Sequence, residues 1–390
     1  MNTFFAYARA NGKFGIRNHV AVISAMDNSN FIARRVAACV TGTVEVCPCF
    51  GRGEVGADLE QHIATLGGLG ANPNVFAAVV VSMEPVIAGR IADVIRRSGK
   101  EVVVCSCDEC GGTINTTCCA VRYAKEFVIK ASEQKRVEVP VSELMLGVEC
   151  GGSDSVSGLI SNPATGMVAD KVVDEGGRVV LSETTEWMGA EEALRARAVT
   201  PELGQRIVDA IKWYEDYIIS IGVDIKGTNP APDNIKGGLS TIEEKALGAV
   251  EKGGTRPIQD LITYNGTVAH RGLTLLDASP GGVENTTSLT SIGCQIIIFS
   301  TGKGNPIGNP ITPTIKVTGN ARTVDNYGDN IDVDISAVMT EGMDLGKAGE
   351  LLYERMLEYC NGKLTTAEVL GDTEIAVTRL GSVSYTHLRA

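Results

Sequence analysis

The sequence predicts an α/β fold with largely parallel sheets, and three observations carry that expectation. Val75 to Ser82 is almost wholly apolar, as a strand buried on both faces should be. Val20 to Ser24, Val75 to Ser82 and Glu101 to Cys105 alternate with helix-length segments, the pattern of parallel strands joined by crossover helices. Polar clusters recur just past the carboxyl ends of the apolar strands, at Ser82-Met83-Glu84, Ser106 to Thr113, Ser182-Glu183-Thr184 and Ser300 to Lys303. Open parallel sheets bind ligands at that edge.

The 390 residues exceed one average domain, so two Rossmann-like α/β domains are expected. The expected boundaries are 1–138 and 139–381, with 382–390 a non-native tail. Hydrophobic residues make up 44% of the chain, enough for a sizeable core. A net charge of −12 argues against nucleic acid, whose binding needs a basic footprint. An acidic protein that binds an acidic substrate must build its positive site locally. No apolar run approaches the roughly 18 residues of a membrane span, and Met1 to Arg9 has no signal-peptide design. Eleven cysteines, an odd number, do not read as a disulfide framework. A cytoplasmic protein with reduced thiols is expected.

In order along the chain, Val20 to Ser24 reads as a strand, Asn28 to Val40 as a helix and Val44 to Cys47 as a strand. Val75 to Ser82, Val86 to Ser98 and Glu101 to Cys105 continue as strand, helix and strand. Lys125 to Val139 is mixed in charge, and the domain boundary is placed after it. Val141 to Leu146 is apolar, a helix-like run starts near Ala164, and Val179 to Leu181 is a strand. Ala190 to Ala198 and Leu203 to Ile219 are helices, the second with Ile207, Ile211, Tyr214 and Ile218 on one face. Thr228 to Asp233 is irregular. Ile242 to Val250 is a helix with Ser240 as its candidate cap. Gln295 to Ser300 is a buried strand, and Leu345 to Cys360 a helix ending before Asn361-Gly362.

The stretch Gly147 to Pro163 concentrates the chemistry. It sets Glu149, Cys150, Ser153 and Asp154 around Gly151-Gly152, where the main chain can approach a ligand and its amides can form an anion nest. Asp154 reads as a residue that orients the loop. Arg17-Asn18-His19 places a guanidinium, an amide and an imidazole in succession, suited to carboxylate grip and proton transfer. Taken alone, these residues favour a structural His19. Cys105, Cys107, Cys110, Cys118 and Cys119 cluster, but their spacing fits no usual zinc or iron–sulfur motif. Gly302-Lys303 is not a P-loop and reads as a carboxylate-binding lysine on a turn. No dinucleotide fingerprint follows the first strand.

Gly147-Val-Glu-Cys-Gly-Gly-Ser-Asp154 resembles the signature of the altronate and galactarate dehydratase family, which includes the large subunit of sulfolactate sulfo-lyase. Arg17-Asn18-His19, Leu181 to Thr184, Gly237 to Lys245 and Phe299 to Gly304 resemble further family blocks in the same order. The resemblance implies a lyase performing metal-assisted β-elimination on a small 2-hydroxy acid, giving a 2-oxo acid. Sugar-acid dehydration is placed slightly ahead of sulfite release from sulfolactate, and a non-catalytic binding or regulatory partner is the outside alternative. The resemblance further implies Fe2+ or another divalent metal, with Cys150, Cys47 and Cys49 as candidate ligands. His19, Glu149, Glu183 and Lys245 are the candidate catalytic residues. Arg17, Asn18, Gly151, Gly152, Ser153, Asp154, Thr301 and Lys303 are the candidate substrate-binding residues. Two departures stand out. Cys47-Pro-Cys-Phe-Gly51 replaces a family His-x-x-Gly-Cys, and Ser82-Met-Glu-Pro85 keeps only the acid of Gly-Cys-Glu-Asn. There is no room before Arg17 for the small SAF-type β domain of the dehydratases, which implies a separate small SAF-domain subunit. An oligomer is expected, with no nucleic-acid or membrane partner.

Overall fold

Three sheets organise the chain in the computed structural model, which describes residues 2–224 and 229–379. The first strands are β1 (Thr3–Ala8), β2 (Phe14–Gly15), β3 (His19–Ser24), β4 (Thr43–Val46), β5 (Val75–Ser82) and β6 (Val102–Ser106). Then come β7 (Val137–Pro140), β8 (Met145–Cys150), β9 (Arg178–Leu181) and β10 (Ile258–Thr263). The last are β11 (Gly272–Asp277), β12 (Ile296–Ser300), β13 (Thr314–Thr318) and β14 (Val333–Asp334). The tail 382–390 and Thr228 lie outside the described residues.

The first parallel sheet has the order β4-β3-β5-β6. Val20 and Val22 of β3 face one core, shared with Ile32, Val36, Ala124 and Phe127. Ala21 and Ile23, one residue out of step, face a second core with Ile63, Leu66, Ile91 and Ile95. Burial on both faces explains why these strands lack alternation in the sequence. The helices that cover them, Gly56–Ala71 and Thr113–Ser132, are not legible from the sequence. The first carries glycines where bulk would collide with Val94 and Ile95.

The second parallel sheet has the order β10-β11-β9-β8-β12-β13-β14. Leu146 and Val148 of β8 join the largest core, and Met145 packs on the opposite face with Val180, Leu289 and Ile297. The helix Asn162–Asp174 packs on that largest core, and the helix Leu345–Cys360 lies over it, with Gly349 against Met167. The helix Ile242–Val250 is capped by Thr241 and not by Ser240. The Ser240 hydroxyl and amide turn instead to Glu244.

The small sheet β2-β1-β7 is antiparallel. Phe4, Ala6 and Ile16 belong to the core of the seven-stranded sheet. Conversely Ile375 belongs to a core of the four-stranded sheet, with Val377 packed against it. Buried amides tie the two sheets: Asn72 Nδ2 donates to the carbonyls of Thr290 (2.7 Å) and Cys294 (2.9 Å). All eleven cysteines are free thiols. No helix among the described residues is long and apolar enough to cross a membrane.

Candidate active site

Strand order locates a crevice. After β8 the chain turns toward β9 on one side, and after β12 it turns toward β13 on the other. The loops leaving β8 and β12 therefore flank a topological switch point at the carboxyl edge. They are hydrogen-bonded to each other: Gly151 N donates to Ser300 O (2.7 Å), Thr301 Oγ1 to Gly151 O (2.9 Å), and Gly302 N to Gly152 O (2.8 Å). Gly152 has φ +111°, closed to other residues, and a Cβ on Gly302 would collide with the Asp154 carboxylate. Asp154 accepts from Ser157 N (2.6 Å) and Asn320 Nδ2 (2.8 Å), so it orients the loop.

Behind these loops lies a buried charged cluster. Glu149 is fully buried and its Oε2 accepts from Asn285 Nδ2, which also donates to Ser182 Oγ at 2.7 Å. Glu183 follows β9 with φ +77°, a left-handed conformation that costs a non-glycine residue about 1–2 kcal/mol. Its neighbours hold it there: Trp187 Nε1 donates to Ser182 O (3.1 Å) and Thr184 N to Ala278 O (3.2 Å). So placed, Glu183 Oε2 accepts from Cys150 N (3.0 Å) and from Lys252 Nζ (3.2 Å). Lys252, from the turn Glu251–Gly253, is 1% exposed like its partner. Cys150 Sγ lies 3.1 Å from Ser153 Oγ.

Desolvation sets the protonation states. Burial, only partly countered by the Lys252 charge, pushes the Glu183 carboxyl up to about 7. Glu149 is pushed well above the carboxylate range by burial and by the Glu183 charge. Burial also raises the Cys150 thiol. Lys252 goes the other way: burial pulls it down, but the charges of Cys150, Glu183, Glu186 and Glu149 outweigh it and hold the ammonium protonated. The result is a neutral acid, a carboxyl poised near neutrality and a fixed buried cation within one cluster.

The structure thus brings together Glu149, Cys150 and Glu183. Lys245 stands next to them, donating to Glu186 Oε1 (3.0 Å) and Asn229 Oδ1 (2.8 Å). Gly151, Gly152, Ser153, Asp154, Thr301 and Lys303 form the rim. Arg17, Asn18 and His19 lie elsewhere, at the amino end of β3. Arg17 bonds Glu368 (2.7 Å) and the carbonyls of Tyr359 (3.1 Å) and Lys363 (2.7 Å). Asn18 donates to Ala131 O at 2.8 Å. Burial lowers His19 to about 4, so it is neutral at physiological pH. Cys47 and Cys49 follow β4 in the other sheet, with their thiols on the carbonyls of Asn30 and Ile375. Cys105 Sγ and Cys119 Sγ lie 3.6 Å apart at the end of β6, also in that sheet.

Lys252 and Asn285 escaped the sequence reading. Lys252 sits in Glu251-Lys-Gly-Gly254, which looks like a solvated turn, though the paired glycines mark a close approach to Leu181 and Asp170. Asn285 lies in a Thr- and Ser-rich helix with no apolar stripe to announce it.

A ferrous site needs at least three donors around one point. Among the described residues no three His, Cys, Asp or Glu side chains are so arranged, and Glu183 is already met by the Lys252 ammonium. The side chains here do not form that ligand set, and no step below runs through a metal.

Comparison with known proteins places this architecture. Residues 6–132 match the family described as D-galactarate dehydratase/altronate hydrolase, second domain, and residues 141–383 match D-galactarate/altronate dehydratase, C-terminal. The chain belongs to the D-galactarate/altronate dehydratase family. Within that family it is 40% identical to the (2R)-sulfolactate sulfo-lyase subunit beta of Chromohalobacter salexigens, over 97% of each chain. It is 30% identical to the altronate dehydratase of Bacillus subtilis, over 97% of this chain and 78% of that one. Against the altronate dehydratase of Escherichia coli the identity is 28%, over 96% of this chain and 77% of that one.

Proposed function

We propose that this chain is a lyase that breaks the bond β to the carboxylate of a 2-hydroxy acid, with sulfite as the leaving group. The Glu183–Lys252 pair carries the elimination. A buried base and a buried cation held together are what abstraction of a weakly acidic proton α to a carboxylate requires. Ionised Glu183 takes the C2 proton. The electron pair forms the C2=C3 bond as the C3–S bond breaks, and sulfite departs with the bonding pair. The enol then takes a proton at C3 to give the 2-oxo acid. Lys252 stabilises the charge that accumulates on the substrate carboxylate. Neutral Glu149 receives the Asn285 amide on Oε2 and has no partner at Oε1, which leaves its proton available to a substrate oxygen.

Two considerations favour sulfite over water. Sulfite leaves without protonation and so asks nothing of Glu149, whereas hydroxide would have to take its proton or meet a Lewis acid. The relative matching over nearly its whole length is named as a sulfo-lyase subunit. Sugar-acid dehydration is the second reading, favoured by the two altronate dehydratases. By the first reading the chain works with a second, small subunit. The deciding experiment compares kcat/KM for sulfolactate, altronate and galactarate, with and without that subunit. Sulfite release from sulfolactate alone supports the proposal, and turnover of sugar acids alone overturns the leaving group. Parallel assays with EDTA and with added Fe2+ separate two sources of positive charge: if Lys252 suffices, the rates are equal.

A further inference from the structure

Beside the loop from β8, and outside the buried cluster, a cavity of about 440 Å3 opens next to Asp154. Three cations from three separate segments line it. Lys236 ends the short helix Pro232–Lys236, Lys303 lies on the turn after β12, and Arg322 stands in the first turn of the helix Ala321–Tyr327. Among the described residues none of the three has a carboxylate partner. The one carboxylate in the wall, Asp154, is already engaged by Ser157 and Asn320. In a chain of net charge −12, three unpaired cations around one small space repel one another, and an anion that enters relieves that repulsion.

The wall is shaped for this. A Cβ on Gly237 would stand 2.8 Å from Asp154 Cβ and 3.1 Å from Lys303 Cε, so a side chain there would press on the Asp154 wall and crowd the lysine stem. A Cβ on Gly152 would lie 3.4 Å from Lys303 Cβ, so the same loop touches the cation on one side. At its start that loop carries Cys150, held to Ser153, and its next residue is Asp154. The cavity and the buried cluster therefore share one short stretch of main chain.

Resting on the lyase reading, we propose that Lys236, Lys303 and Arg322 form an anion subsite for a second acidic group on the substrate, the one remote from the carboxylate whose α proton is removed. The substrate class is then a small 2-hydroxy acid with two anionic ends. A sulfonate and a second carboxylate share this chemistry, and an arginine with two lysines grips either through its oxygens. The volume admits a short acid chain as well as the group itself. When the remote group is a sulfonate, the site also receives the departing sulfite.

Where the remote group is a carboxylate that stays on the product, the contacts persist and their loss raises KM with kcat nearly unchanged. Where it is the departing sulfonate, the cations meet growing negative charge and their loss lowers kcat as well. Lys236 and Arg322 are exposed at the cavity mouth, so their replacement leaves the core intact. Inorganic sulfate is the direct probe, measured by calorimetry on the wild type, Lys236→Gln, Arg322→Gln and Glu183→Gln. The expected result is that sulfate binds the wild type and Glu183→Gln alike and that each of the first two variants binds roughly tenfold more weakly. Malonate in place of sulfate distinguishes a carboxylate-preferring site from a sulfonate-preferring one. No sulfate or malonate binding to the wild type, or equal binding to all four proteins, overturns the subsite. Because Glu183→Gln removes turnover and not the cavity, failure of the lyase reading leaves the anion-binding result standing and is read separately.

Discussion

Glu183 is the residue on which the proposed chemistry turns. Its carboxyl, raised by burial to about 7, must be ionised to take a proton, so kcat/KM should rise with pH and level off above that value. Glu183→Gln keeps the shape and removes the base, and a loss of about 10²–10⁴ in kcat is expected with KM little changed. The same shift has a stability consequence of the opposite sense. A carboxyl raised above its unfolded value of 4.5 favours the folded state while it is protonated, and that contribution is lost as pH rises through about 7. The glutamine variant should therefore lose less melting temperature than the wild type between those pH values. An unchanged slope would remove Glu183 as the titrating group. Lys252→Met tests the partner: kcat should fall at least a hundredfold, with a folded protein, because the carboxyls left behind can neutralise by protonation.

Among the elements, the paired loops after β8 and β12 carry the clearest sequence signal. Gly151-Gly152 and Gly302 are glycines for a reason the structure makes explicit: one has a left-handed φ and another faces a carboxylate. Gly302→Ala should force the Asp154 carboxylate aside and destabilise the fold by about 1–3 kcal/mol, read as a lowered melting temperature with weaker substrate binding. Arg17 shows the limit of reading motifs from sequence. Its guanidinium is held by Glu368 and by carbonyls at the end of the helix Leu345–Cys360, so Arg17→Leu leaves a half-buried acid without its partner. The expected outcome is a loss of about 2–4 kcal/mol in stability, with the kcat of the folded fraction retained. A raised KM at unchanged stability would return Arg17 to the substrate. The strands β3, β5 and β12 were legible because their residues are apolar without a break. By contrast β10, Ile-Gln-Asp-Leu-Ile-Thr, mixes its faces and sits at the sheet edge, and β1 has a strand's alternation but takes most of its pairing from distant β7, with only two residues paired to nearby β2. A sequence displays its local periods and hides such long-range pairings. The Lys252–Glu183 contact is hidden for the same reason.

At the scale of the whole molecule, the first and last described segments are each built into the unit formed mainly by the other part of the chain. Phe4, Ala6 and Ile16 fill the core of the seven-stranded sheet, and Ile375 fills a core of the four-stranded one. During synthesis β1 leaves the ribosome more than 300 residues before the helix that covers it, Leu345–Cys360. The four-stranded sheet likewise waits for Ile375. Neither core closes until residues more than 300 positions apart have both been made, so apolar surface stays open through most of that elongation, and the high contact order slows closure afterwards. Holdase chaperones should therefore engage the nascent chain for most of its length. A gene cut after Pro140 should yield two polypeptides that each aggregate when made alone and that, co-expressed, reassemble into one soluble complex on a sizing column.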